Sequence, residues 1–294
     1  MGDVVDLRTT GGAVAIERDG IRVHGPAAVS YLQGQLSQDV QALGIGESAR
    51  TLLLEPTGKV TAWLRVTRQG EDDVLLDVDA GHGEAVRARL QRFKLRVEAE
   101  LEPVSLRGWA LRGAGFEQRE AVGPEALALP AEWPGVAGVD LFGDDLRLPM
   151  TVAELPTAAL EALRIEAGVP AMGADLTEAT IPAEAGQWLI DLSVDFAKGC
   201  YTGQELVARI DSRGGNVPRP LRGLLVDGDA VPTSTTVALG GKEVGAVTSS
   251  ATSAVLGAVA LAPVARSVAP GETVELCRPD GSTTSARVAT LPLR

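Results

Sequence analysis

Cys200 lies in the run KGCYTGQELVAR, Lys198 to Arg209, and is the residue best placed by its neighbours to do chemistry. Thr202 followed three positions later by Glu205 has the spacing of a capping box, which predicts a helix starting just after the cysteine. The thiol would then face the positive end of a helix, with the Lys198 ammonium two residues upstream. Both favour the thiolate, the nucleophilic form, although a helix of about two turns adds only a modest field. Gly199 and Gly203 flank the Cys-Tyr-Thr step and suit a tight turn that exposes a side chain. A buried cysteine that only packs is the plain alternative.

Other chemistry has less to stand on. Cys277 is 77 positions away and neither cysteine has C-x-x-C spacing, so no zinc knuckle or self-contained iron–sulfur site is expected, and no metal is assigned. His24 and His82 fall in unrelated contexts, and a Cys-His pair would need the fold to bring one of them to Cys200. There is no GxSxG, no P-loop and no GxGxxG after a strand, which leaves hydrolase, nucleotide-triphosphatase and Rossmann-dehydrogenase readings unsupported. Asp72-Asp73 and Asp144-Asp145 read as solvated turns.

Charge narrows the partners. The chain has 294 residues and a formal net charge of −12, which argues against a general nucleic-acid or anionic-membrane binder. Between Lys198 and Arg222, five cations (Lys198, Arg209, Arg213, Arg219, Arg222) face two acids (Glu205, Asp211), a local +3. Such an island suits an anionic ligand, or equally a solvated basic linker. No basic head precedes an apolar run at the amino terminus, and the most apolar stretch, Ala254 to Ala265, is about twelve residues, too short to span a bilayer. A reducing, cytoplasmic setting is expected.

The elements that must position the cysteine follow from periodicity. Val14, Ile16, Ile21 and Val23 alternate around Arg18-Asp19-Gly20, which predicts a hairpin. Val29, Leu32, Leu36 and Val40 recur at helical spacing after Pro26, with Gly44 as a stop and the glutamines between them facing solvent. Strands are predicted over Arg50 to Glu55, Val60 to Thr67 and Val74 to Val78, then a helix from Gly83 to Phe93 and strand-like alternation from Lys94 to Glu100. This order suggests helices on an antiparallel sheet. Residues 107 to 150, with Gly123 and Pro124 among many breakers, read as loop-rich around short strands at Trp109 to Leu111 and Val139 to Phe142. A helix from Pro156 stops at Gly168. DSRGGNVPRPLR reads as a linker, and six short β-like runs after it (Leu221 to Val226, Thr235 to Leu239, Glu243 to Thr248, Ala254 to Leu261, Thr273 to Cys277, Ala286 to Leu291) predict a small barrel.

KGCYTGQE closely resembles the KGC[YF]xGQE signature of the YgfZ family, folate-binding proteins related to the T-protein, the aminomethyltransferase of the glycine cleavage system. YLQGQLSQDV, Tyr31 to Val40, resembles the FLQGQLTxDV stretch near the start of the same proteins. LRIEAGVPAMGADLTEATIPAEAG, Leu163 to Gly186, resembles a pattern shared by YgfZ proteins and the T-protein. The similarity runs, with gaps, from about Tyr31 to Arg222.

The resemblance implies an α+β fold: two intertwined ferredoxin-like domains over residues 1–220, then a C-terminal β-barrel over 221–294. It implies tetrahydrofolate as ligand, with Arg164, Glu166, Trp188, Tyr201, Gln204 and Arg209 as its contacts. Cys200 is implied as the acting residue, with Lys198 beside it. The implied role is an accessory factor in iron–sulfur cluster assembly or repair, whose partners are folate and iron–sulfur clients or assembly machinery. An aminomethyltransferase-like one-carbon transferase is the alternative. Against it, the acidic pair that the T-protein carries in GGxxDD is replaced in TGKVTAW by Thr61 and Ala62, and the T-protein's GYTGExGxE segment is missing.

Overall fold

The computed structural model describes residues 6–116, 126–144 and 146–293. The first five residues and the positions Gly123, Pro124 and Asp145 lie outside these. The chain divides into two compact units. The cysteine unit comprises Glu17–Leu106 and Ala171–Val217, and the barrel unit comprises Met1–Ile16, Arg107–Pro170 and Pro218–Arg294.

In the cysteine unit, the later part of β1 (Gly12–His24) pairs antiparallel with β4 (Asp73–Asp79). β4 pairs with β3 (Val60–Gly70), and β3 with β2 (Ser48–Leu54). Helix α3 (Gly83–Phe93) packs on β3 and β4 and has the bounds its periodicity predicts. After Ala171 come a 3-10 turn at Pro182–Ala185, helix α5 (Gln187–Ser193) packed on β2, and helix α6 (Gln204–Asp211).

Three expectations are corrected here. The predicted hairpin is one continuous strand, because its turn residues are held in register. Arg18 lies opposite Asp79 and Gly20 opposite Asp77, and the Asp19 carboxylate accepts the backbone N–H groups of Gly81 and Gly83 at 2.8 Å each. The predicted long helix after Pro26 is only α2 (Ala28–Gln33), since Leu36 is drawn into a bridge with Leu53. Lys94 to Ala99 is not strand; β5 begins at Glu100 and runs to Arg112.

Leu52, Leu53, Leu54, Val60, Ala62, Leu64 and Val66 are all fully buried, so β2 and β3 are covered on both faces. One face nevertheless carries ionisable groups in a row. Arg50 lies opposite Arg65, and Arg65 opposite Asp77. Arg65 and Asp77 are both 0% exposed and joined at 2.9 Å. Arg18 bridges Asp77 and Asp79 at 2.6 Å each. Burial opposes the Asp77 charge, but Arg65 and Arg18, with Arg50 beyond them, hold its carboxyl below the usual carboxylate range.

The barrel unit begins with helix α1 (Leu7–Thr10). The end of β5 pairs with β7 (Gly138–Phe142), which pairs with β6 (Leu127–Pro130). Helix α4 (Thr157–Ala167) stops at Gly168, whose φ of 73° is the left-handed conformation expected of a helix-ending glycine. Seven strands follow: β8 (Leu221–Val226), β9 (Thr236–Leu239), β10 (Lys242–Ala246), β11 (Ser249–Ser253), β12 (Gly257–Pro263), β13 (Thr273–Cys277) and β14 (Thr283–Ala289). They order as β10-β9-β13-β14-β8-β12-β11, and a bridge from Gly245 to Val264 joins β10 to the end of β12, curling the sheet toward closure. Leu224, Val237, Ala260, Leu276 and Val288 fill its interior. Outside, Ile165 of α4 packs with Leu221, Val259, Leu261 and Leu293. The strands not foreseen are β6, within the stretch read as loop-rich, and β11, whose sequence SSATS carries no apolar pattern; Ser253 turns the chain by accepting the N–H groups of Val255 and Leu256.

Among the described residues no helix is long and apolar enough to cross a membrane, and no group of three or more His, Cys, Asp or Glu could hold a metal.

Candidate functional site: an exposed thiol on an anchored loop

Cys200 is a free, exposed cysteine. It sits three residues before the cap of α6, as its sequence suggests, but the capping box does not form. The cap is Gly203, at φ 87°, with no side-chain cap hydrogen bond. Thr202 instead turns away: its backbone N–H donates to the Gly34 carbonyl at 3.1 Å. Gln204 takes over the local role, its Oε1 accepting the Tyr201 N–H at 3.1 Å. Gly203 is fixed by crowding. A side chain there would come within 2.6 Å of the Glu55 carbonyl and 2.7 Å of Leu54 Cβ, so the turn between β2 and β3 lies directly against the cysteine motif.

Lys198 is half-buried and its ammonium points at backbone. Nζ donates to the carbonyls of Gln33 at 2.7 Å, Leu36 at 2.6 Å and Gln38 at 2.9 Å. It also stands 5.3 Å from the centre of the Tyr201 ring. Burial pushes its pKa down to about 8, against the pull of the Asp39 and Asp195 carboxylates, which leaves it mainly charged at neutral pH. Tyr201 is 9% exposed and burial pushes its hydroxyl up to about 12.

The two motifs found separately in the sequence are therefore stitched together. The Asp195 N–H donates to the Ser37 carbonyl at 3.0 Å, and the Ser37 hydroxyl to the Ser193 carbonyl at 2.6 Å. Gln33 and Gln38, expected to face solvent, are engaged instead. Gln33 binds the Asp39 carboxylate and the Val40 N–H, and Gln38 binds the Leu192 carbonyl. Gln35 accepts from the buried Arg89 at 3.2 Å.

Trp188, on α5, is half-buried and meets Trp63 edge to face, centroids 5.9 Å apart. Arg50 stacks on Trp63 at 4.8 Å, and the Trp63 indole N–H donates to the Ser193 hydroxyl at 2.9 Å. Trp63 and Arg50 are buried, and the half-open Trp188 indole is the face of this stack open to a flat heteroaromatic ring. Arg209 is exposed on α6.

Arg164 and Glu166 belong to the barrel unit and are engaged within it. Arg164 binds Glu161, the Val169 carbonyl at 2.6 Å and the Ser249 hydroxyl at 2.7 Å. The Glu166 carboxylate stands 3.8 Å from Arg8 and its carbonyl accepts the Leu293 N–H. His24 ends β1, 3.9 Å from Glu102, and His82 precedes α3. Sequence reasoning missed Trp63, Arg50, Arg65 and Asp77. Their signal was an aromatic or ionisable residue at alternate positions inside otherwise apolar strands.

A family model described as the glycine cleavage T-protein C-terminal barrel domain matches residues 219–293. The chain is 30% identical over 222 residues to the tRNA-modifying protein YgfZ of Serratia proteamaculans, covering 67% of this chain and 65% of that one. It is 29% identical over 210 residues to the mitochondrial iron–sulfur cluster assembly factor IBA57 homolog of Phaeosphaeria nodorum, covering 66% and 50%. The chain belongs to the YgfZ and T-protein-like family. These matches span about two thirds of the YgfZ relative and half of the IBA57 relative. A solved aminomethyltransferase T of the glycine cleavage system from Bartonella henselae superposes with a TM-score of 0.78 at 21% identity, covering 99% of this chain and 88% of that one. That agreement places both sheets of this YgfZ-like chain in the T-protein fold, a mixed α and β architecture with a C-terminal barrel.

Proposed function

We propose that this YgfZ-like protein is a tetrahydrofolate-binding accessory factor in iron–sulfur cluster assembly or repair, acting through the thiol of Cys200. The observation that carries the reading is the pairing of an exposed free thiol with a loop fixed from both sides. A group that only packed would be buried, and a casual surface cysteine would not sit on so braced a loop. The iron–sulfur assembly named for the IBA57 relative supports the client class. The tRNA modification named for the YgfZ relative is read as the work of an iron–sulfur client enzyme, since a net charge of −12 offers little for phosphate contacts.

Tetrahydrofolate would supply a reduced pterin able to carry one-carbon units and an anionic glutamate tail. Trp188 would face the flat ring, Arg209 offers charge for the tail, and Tyr201 and Gln204 would shape the site by holding the loop. In this reading the residues before the barrel form two ferredoxin-like halves.

The one-carbon transferase alternative needs a carboxylate where Thr61 and Ala62 now stand. Ala62 is fully buried, and the Thr61 hydroxyl donates to Glu55, a carboxylate clamped by Arg92 at 2.6 Å and Arg89 at 3.5 Å. Both oxygens of that carboxylate are already engaged, Oε1 by Thr61 and Arg89 and Oε2 by Arg92. Purified protein given tetrahydrofolate and an aminomethyl donor is therefore expected to form no methylenetetrahydrofolate above the uncatalysed rate. Turnover would move the protein to the transferase class.

A further inference from the structure

Gly199 and Cys200 have no hydrogen-bond partner among the described residues, and a side chain at Gly199 would meet open space. The thiol loop is thus held only at its two ends. On the far side, Tyr201 is buried and Thr202 is tied to Gly34. On the near side the side-chain anchor is Lys198; the Asp195 N–H ties the chain ahead of it to the Ser37 carbonyl at 3.0 Å, and the Asp195 carboxylate accepts the N–H groups of Ala197 at 2.7 Å and Lys198 at 3.1 Å.

The Lys198 end has unusual chemistry. Carbonyls at positions 33, 36 and 38 cannot converge in a helix or in a strand, where they point along the axis or alternate in direction. They converge here because α2 stops at Gln33 and Leu36 is pulled toward Leu53. The result is a cage of three backbone oxygens at 2.6–2.9 Å, matching the three N–H donors of an ammonium one for one. The carboxylates facing it, Asp39 and Asp195, act at longer range and are bonded to their own segments' N–H groups. The Tyr201 ring closes another side.

We infer that Lys198 is the positioning residue of the thiol loop, its ammonium occupying a cation cage formed by the Gln33, Leu36 and Gln38 carbonyls and thereby fixing where Cys200 is presented. The inference rests on the reading of Cys200 as the working thiol, but the cage is testable without it. Lys198→Ala removes the stem from Cγ to Nζ, which propylammonium can replace. Lys198→Met removes the charge and leaves no room for a replacement.

Amide hydrogen exchange over residues 33–38 and 198–202 is the readout, at fixed pH and ionic strength. Both variants should exchange about tenfold faster or more, the scale of losing a hydrogen bond to a charged group. Propylammonium should restore protection to Lys198→Ala and not to Lys198→Met, whereas tetramethylammonium, of equal charge but without N–H donors, should restore neither. Unchanged exchange in Lys198→Ala, or equal restoration by tetramethylammonium, would overturn the cage. If Lys198→Ala does not fold unaided, its refolding yield with each of the two cations gives the same comparison. Loss of protection with undiminished in-cell support of iron–sulfur enzymes would uphold the cage but refute its role in presenting Cys200, whereas full support by Cys200→Ala would refute the thiol reading itself.

Discussion

Cells relying on this chain for an iron–sulfur enzyme should lose that enzyme's activity when Cys200 is replaced by alanine, while the purified variant keeps its fold. The separation follows from the geometry. Cys200 is exposed and makes no hydrogen bond, so removing its sulfur is a surface change worth within about 0.5 kcal/mol of stability. The loop keeps both anchors, because Lys198 and Thr202 bind backbone carbonyls that the substitution does not touch. Stability and function should therefore part completely at this position. The check is complementation of a strain lacking its own copy, scored by client-enzyme activity beside a urea unfolding curve of the purified variant. Full support by Cys200→Ala would remove the thiol from the account.

The second large effect lies in the core. Asp77→Ala leaves Arg65, which is fully buried, without the carboxylate directly opposite it, and removes from Arg18 its 2.6 Å contact with Asp77. Breaking a buried pair from one side costs about 3–5 kcal/mol, a large share of the roughly 5–15 kcal/mol that holds a domain. The urea midpoint should fall accordingly. Replacing both members, Arg65→Met with Asp77→Leu, should recover much of the loss, because no buried charge is then stranded. The same pair sets an acid limit. The folded-state pKa of Asp77 is lowered, so its contribution is fully present above the unfolded carboxylate value near 4 and is lost as pH falls through the folded value. Asp79, partly exposed beside Arg18 and held below the usual range, adds in the same direction, less strongly because solvent screens it. Asp77→Ala should thus flatten the loss of stability in acid as well as lower the plateau.

Much of this was legible in the residues themselves. Helix α3 and strands β8 and β13 occupy the predicted bounds because their apolar spacing agrees with turn residues at both ends. The cysteine motif was legible as a turn before a helix. How that turn is held was not. Thr202 and Glu205 have capping-box spacing, yet the Gly34 carbonyl competes for the Thr202 N–H, and Gly203 takes the cap by adopting a conformation other residues avoid. Leu36 and Val40 fit a helix by period, but a bridge to Leu53 and the pull of Lys198 end it at Gln33. Each of these contacts joins positions 15 to 170 residues apart, roughly, and local periodicity carries no record of such partners. The buried charges were hidden for a related reason: Arg65 and Asp77 look like solvent-facing positions until both faces of the sheet are covered.

The ligand claim is central to the proposed function, because the open indole of Trp188, the exposed Arg209 and the braced thiol loop are read as parts of one folate-dependent device. Calorimetric titration of tetrahydrofolate into the purified protein tests it most directly. The account predicts saturable heat at sub-millimolar ligand, weakened by Trp188→Ala and retained by Cys200→Ala. No heat in that range, from protein shown to be folded, would contradict it.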